Sequence, residues 1–395
     1  MNPSAAGWIK KFGHVIKDKQ NHYKDKNHLY HSLLEHGFIY GVHLSSPSFA
    51  KAEHIYTEDE VAKINLLTAL YFTYSFETQQ NDFSKFVETV FTYYKKLDVG
   101  NFTFLQKILS GSKTEDQLEK LLDSRIYLGG NTFSRAFGNS LTNSLLYVDV
   151  LIFREYLKSD KNLLEHAELL EYVTINIAYQ ALNSKQTRKS DEKLLQLLAS
   201  SLSFVDLNAT QYRKSFQELL DLNFSDMEKQ YLLDIACLTV WEDGTLEQEE
   251  SNYIHEIGRA LKQDKKNIEN AIKNVLVFFD KNRNKIPYLK DNNLASKFYE
   301  GMTKNVSKLI LRNSKRLGKE LRESKELMSL LVKATTTDLT KEERKKVQKQ
   351  LLDIFKSIPS LAIFMLPGGA VLLPIFIKLI PQLLPSAFDD NRIEE

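Results

Sequence analysis

The 395 residues are 43% hydrophobic and 26% charged with a net charge of +2, the balance of a folded chain and not of a disordered one. Only 15 glycines and 8 prolines are present, about half the usual share. That is too few for the tight turns of a β-sandwich or barrel, or for the Gly-rich strand-to-helix turns of a nucleotide-binding α/β enzyme.

Apolar residues at helical spacing recur along the chain. Leu29, Leu33, His36 and Tyr40 predict one helix, and Ile64, Leu67, Ala69, Leu70, Phe72 and Phe76 a second. Thr114 to Gln117, followed by LEKLL, starts another, and Leu145 to Leu157 is apolar enough to be buried. Runs of alternating strand residues are lacking, so the expected fold is all-α: a multi-helix bundle. Three stretches share one rhythm, an apolar helix followed after a polar gap by an amphipathic one. They begin at INLLTALYFTYS (64–75), LLEYVTINIAYQALN (169–183) and LLDIACLTVWEDG (232–244). A diverged helical-hairpin repeat would produce this, as would three unrelated hairpins.

Chemistry-bearing residues are sparse. The single cysteine, Cys237, lies in the apolar run LLDIACLTVW and reads as a buried, inert thiol. Seven of the nine histidines fall before residue 55. His28, His31 and His36 do not share a helix face cleanly, which favours a polar surface over a metal site. DKNRNK (280–285) imitates the start of a calcium loop, but Lys285 stands where glycine is needed. No P-loop, GxSxG or GxGxxG occurs, and no nucleophile frame, so an enzyme is not expected. The first residues lack a signal-peptide core, and the expectation is a cytoplasmic body.

The balanced charge hides a split. Residues 304–356 carry 15 Lys and Arg against 7 Asp and Glu. Here Ile310, Leu317, Leu321, Met328 and Leu331 line an apolar face, while Lys308, Arg312, Lys315, Lys319, Arg322 and Lys325 present an anion-binding one. Thr340 and Glu343 form a capping box that starts the next helix. Residues 304–354 contain no aromatic side chain, so anionic lipid headgroups fit the block better than single-stranded nucleic acid, and DNA is not an expected partner. Directly after it, Ser357 to Ile377 is a run of 21 residues without a charge. Such a run is long enough to span a hydrocarbon core of about 30 Å. Pro367-Gly368-Gly369 interrupts it, which predicts an apolar helical hairpin in or on a membrane, or packed as core. The flanking charges would keep the N-terminal side cytoplasmic.

Five of the eight prolines, Pro359, Pro367, Pro374, Pro381 and Pro385, punctuate this end. The frame Ile358-Pro359, Leu372-Leu373-Pro374, Lys378-Leu379-Ile380-Pro381 and Leu384-Pro385-Ser386-Ala387-Phe388 closely resembles the Letm family of mitochondrial inner-membrane proteins. The resemblance implies a membrane or partner segment carried by Pro359, Pro367, Gly368, Gly369, Pro374, Lys378, Pro381, Pro385 and Phe388. In that family a ribosome-binding helical domain follows. Here the sequence continues only seven residues past Phe388, so the ribosome-contacting part is expected to be missing. The family is also linked to cation/proton exchange. An apolar segment with no embedded acid or histidine argues against autonomous transport and leaves an accessory role.

The middle, LLDIACLTVWEDGTLEQEESNYIHEIGRAL (232–261), resembles a TerB-type helical domain through Asp243, Gly244, Leu246 and Glu250. The resemblance implies Ca²⁺ or Mg²⁺ on Asp243 and Glu250; solvated acids at an interhelical turn are the competing reading. Together the two segments resemble Letm-related biofilm-associated proteins. The expected organisation is an N-terminal helical region (1–205), a TerB-like domain (206–286) and basic helices with the apolar segment (294–395).

Overall fold

The computed structural model describes residues 1–52, 54–97, 114–126, 144–159, 162–184, 192–202, 215–241, 248–286, 294–358, 361, 364, 369–385 and 388. Among these residues there are seventeen α-helices and no strand. The N-terminal helices are α1 (Trp8–Ile16), α2 (Lys26–Glu35), α3 (Glu58–Thr78), α4 (Phe83–Leu97), α5 (Thr114–Arg125), α6 (Leu146–Lys158), α7 (Leu163–Ser184) and α8 (Glu192–Leu202). Next come α9 (Phe216–Leu220), α10 (Asp226–Val240), α11 (Gln248–Ala260) and α12 (Lys265–Asn282). The last five are α13 (Leu294–Arg312), α14 (Ser314–Arg322), α15 (Lys325–Thr336), α16 (Lys341–Ser357) and α17 (Gly369–Leu383).

Helices apolar on every side must be covered on every side. That rule places α3, α6 and α10 at the centre: Val61–Phe72, Leu146–Phe153 and Tyr231–Val240 are buried. α3 packs on α6, α6 on α7, and α7 on α10. Amphipathic helices close the outside. α4, for example, buries Phe86, Val87, Val90, Tyr93, Tyr94 and Leu97 and turns its other residues outward. The three apolar stretches with a shared rhythm are thus the first arms of α3/α4, α7/α8 and α10/α11.

Reciprocal caps fix the starts of α3 and α16. Glu60 N–H donates to Thr57 Oγ1 at 3.3 Å while Thr57 N–H donates to Glu60 Oε2 at 2.8 Å. Glu343 N–H donates to Thr340 Oγ1 at 3.3 Å while Thr340 N–H donates to Glu343 Oε2 at 2.9 Å. Each box satisfies two helix-end donors.

The helix expected through His36 and Tyr40 ends earlier. Glu35 closes α2, and Gly37 at φ 82° turns the chain back, so that Tyr40 reaches the core from a loop. The basic stretch is also not one helix. It breaks at Asn313 and again at Glu323–Ser324 into α13, α14 and α15. Its five apolar markers, Ile310, Leu317, Leu321, Met328 and Leu331, are all buried.

Candidate functional site: the cationic helices and the proline-bearing last helix

α17 is where the apolar C-terminal run becomes structure. It has 15 residues, or roughly 22 Å at about 1.5 Å per residue. Among the described residues no helix is long and apolar enough to cross a membrane. Gly369 starts the helix, at the break expected from Pro367-Gly368-Gly369, and α17 packs against α8, α13 and α15. Val371, Leu373, Ile375, Phe376, Ile377 and Ile380 are buried there. Phe376 completes a ring cluster with Phe355 of α16 and Phe364 (centroids 5.0 and 4.9 Å).

Pro374, Lys378, Pro381 and Pro385 follow one another at intervals of four, three and four, which is one stripe of a helix. That stripe faces out: Lys378 and Pro385 are exposed, Pro374 and Pro381 half-buried. Proline inside a helix costs a hydrogen bond and leaves a carbonyl unmatched. Pro374 and Pro381 both lie inside α17 on that stripe. Phe388 is half-buried against the core, and Gly369 is buried. Pro359, Pro367 and Gly368 lie outside the described residues.

The six predicted anion-binding residues reach solvent. Arg312, Lys315, Lys319, Arg322 and Lys325 are exposed and Lys308 is half-buried. Three nearby acids are spent elsewhere. Glu326 pairs with Lys346 at 2.8 Å and accepts from Gln350 at 3.2 Å. Glu343 pairs with Lys333 at 2.6 Å. Glu320 accepts from Ser357 Oγ at 3.1 Å. The Lys333 ammonium, with the Thr340 backbone N–H, lowers the Glu343 carboxyl to about 2. With the acids tied into links among α14, α15 and α16, none of the six cations makes an ion pair among the described residues.

A cleft of about 480 Å³ is lined jointly by α8, the α15–α16 connection and α17. Arg344 and Lys378 flank it, with Ser200, Thr335, Thr337 and Asp338. Sequence reasoning found Lys378 but missed the cleft, because α8 joins α17 only through the tertiary fold.

Only part of the proposed divalent site falls within the described residues. Glu250 is buried on α11, and Asp243, with Gly244 and Leu246, lies outside them. Among the described residues no group of three or more His, Cys, Asp or Glu side chains could hold a metal ion. His28 and His31 are exposed and His36 half-buried. Cys237 is buried, and burial pushes its thiol well above the usual range.

Comparison with known proteins bears on the C-terminal segment. A family model described as "LETM1-like, RBD" matches residues 339–395. LETM1 domain-containing protein mdm28, mitochondrial, of Schizosaccharomyces pombe is 35% identical over 82 residues, covering 21% of this chain and 17% of that protein. LETM1 domain-containing protein YLH47, mitochondrial, of Saccharomyces cerevisiae is 34% identical over 82 residues, covering 21% of this chain and 18% of that protein. This chain thus spans less than a fifth of the length of these curated relatives. No solved structure matches. The matches support a Letm-type relationship for the segment. The family match covers α16, α17 and the residues that follow.

Proposed function

We propose that this chain is a non-enzymatic, Letm-type binding protein that docks on ribosomes through α13–α17. The observation that carries the reading is the coincidence of the "LETM1-like, RBD" match at 339–395 with the outward cations next to it. Read as a ribosome-binding domain, that description supplies the partner, and rRNA phosphate supplies the anion. Lys and Arg held outward from rigid helices meet phosphates as counter-ions and release the condensed cations, a sequence-independent and salt-sensitive attraction. The exposed Lys378 ammonium on the proline stripe of α17 adds a further cation. The test is co-sedimentation of the full chain with purified ribosomes at low and moderate salt. Binding at low salt that weakens steeply as salt rises supports the reading; no co-sedimentation at low salt removes it.

A second reading is favoured by one observation, the uncharged run 357–377 beside the same cationic block. In that reading the chain associates with an inner-membrane surface, with the cations on anionic headgroups and the apolar segment inserted next to them. An accessory role in cation/proton transport would follow from that location. Fractionation of cells expressing the full chain, against a truncation ending before Ser357, tests it. Full-length protein in the supernatant before any carbonate wash ends it.

A further inference from the structure

The stretch that imitates a calcium loop, DKNRNK, lies at the end of α12, a helix with two unlike faces. One face is core. Ile268, Ala271, Val275, Phe278 and Phe279 are buried, α12 packs on α10 and α11, and Phe278 and Phe279 meet the ring of Tyr40. On the opposite face Lys266, Lys273, Val277 and Lys281 follow one another at intervals of seven, four and four, which is one stripe of a helix. All four are exposed. Arg283 and Lys285, in the turn that ends the helix, are exposed as well and extend the line of cations. From Lys266 to Lys281 the stripe is roughly 22 Å long at about 1.5 Å per residue.

The fold makes little use of these side chains. Among the described residues none of the five cations makes an ion pair. Their neighbours do: Lys262 holds Asp221 at 2.5 Å and Lys265 holds Glu269 at 3.7 Å. Asp280, exposed, is the other acid on α12 and adjoins Lys281. Cations near a helix C-terminus complement its dipole, which accounts for Lys281, Arg283 and Lys285. That account fails for Lys266, which stands in the first turn of α12 where the dipole disfavours positive charge. It also fails for Lys273 in the middle of the helix. Val277 is 54% exposed among them.

We propose that the outer stripe of α12 is a second RNA-backbone contact, through which the chain holds its ribosome at two faces. The choice of rRNA as partner rests on the ribosome reading above. The surface itself does not, since it lies outside both the family match at 339–395 and the cationic block of 304–356. Cations fixed along one rigid helix meet successive phosphates of a strand without reading its sequence. A lipid surface fits the stripe less well. Helices that lie in a membrane interface insert a broad apolar face, and the apolar face of α12 is already core, leaving Val277 alone to insert. With two contacts on one particle the second forms intramolecularly, so the joint affinity exceeds that of either face.

The experiment compares the full chain with its triple variant Lys266→Gln/Lys273→Gln/Lys281→Gln, which keeps good helix formers at exposed positions and so should melt like the wild type. Purified ribosomes, an RNA duplex of about 24 base pairs and phosphatidylglycerol vesicles are the probes, each over a range of salt. The triple variant is expected to bind ribosomes and duplex about tenfold more weakly, with a salt slope smaller by roughly 2 to 3 for three lost phosphate contacts. Adding Lys319→Glu/Arg322→Glu should weaken ribosome binding further. If the wild type binds ribosomes and the triple variant matches it in affinity and slope, this inference falls and the ribosome reading stands. If the wild type binds no ribosomes, that reading falls. Duplex binding that the triple variant loses then still supports an RNA contact on α12, and no duplex binding overturns it. Vesicle binding tighter than duplex binding, and lost in the triple variant, overturns it in favour of a membrane surface.

Discussion

Phe355 and Phe376 meet edge to face with their ring centroids 5.0 Å apart, and this pairing ties α16 to α17. Phe364 stacks on Phe355 at 4.7 Å and closes the cluster. Aromatic groups in this geometry contribute beyond their area. Phe376→Ala is expected to destabilise the purified protein by about 3–5 kcal/mol in urea denaturation. A variant as stable as the wild type would mean that α17 does not pack in the bundle in solution, which is the outcome the membrane reading needs.

Reversal of the outward cations separates docking from folding. Lys319→Glu and Arg322→Glu are exposed changes and are expected to alter stability by about 0.5 kcal/mol or less. Ribosome co-sedimentation should fall with each. The slope of log affinity against log salt should shrink by roughly 0.7–0.9 for each rRNA phosphate that is no longer neutralised. An unchanged slope in the double variant would locate the docking surface elsewhere.

Within the body, Arg125 and Asp149 form a buried bidentate pair, with Nε and an Nη at 2.8 and 2.9 Å from the two carboxylate oxygens. Tyr94 O–H donates to the same carboxylate at 2.9 Å. Arg125→Met would leave the Asp149 charge uncompensated, at a cost of about 3–5 kcal/mol. Adding Asp149→Asn should recover part of that loss, because the carboxamide oxygen still accepts from Tyr94 and carries no charge. Chemical denaturation of the two variants measures the difference.

Acid stability should carry the mark of His43. Both of its ring nitrogens are buried without a partner, and burial lowers its imidazole to about 3 from an ordinary 6.5. The unfolded chain therefore takes up the proton first as pH falls. His43 contributes a loss of stability that begins near pH 6.5 and continues toward pH 3, approaching about 1.4 kcal/mol per pH unit. Burial raises Asp234 to about 6 from 3.8, and its contribution has the opposite sign: stability falls as pH rises from about 4 to 6. His43→Asn, which suits the left-handed backbone at φ 47°, should flatten the acid limb. Asp234→Asn should remove the opposing one. Denaturation at pH 4, 5 and 7 reads both; parallel pH curves for His43→Asn and wild type would rule out this origin.

Periodicity made the fold class readable. The apolar stretch 64–75 and Leu145–Leu157 both became central helices, and the Thr340–Glu343 box opened α16 as its spacing implied. The apolar stretch from Leu145 to Leu157 did not reveal that its Asp149 is buried in an ion pair, because the partner Arg125 closes a different helix. The break at Pro367-Gly368-Gly369 was legible, and the helix that starts at Gly369 agrees with it. What the uncharged run could not show is that α8, far upstream, supplies apolar cover for that helix.

That distant cover has a consequence for synthesis. The side of α8 that rests on α17 waits for a helix that begins about 170 residues later. At about 5–20 residues per second, α8 emerges roughly 10–30 s before α17. Throughout that interval the nascent chain carries an uncovered greasy strip, and the folding of the body is not finished until the last helix has left the exit tunnel.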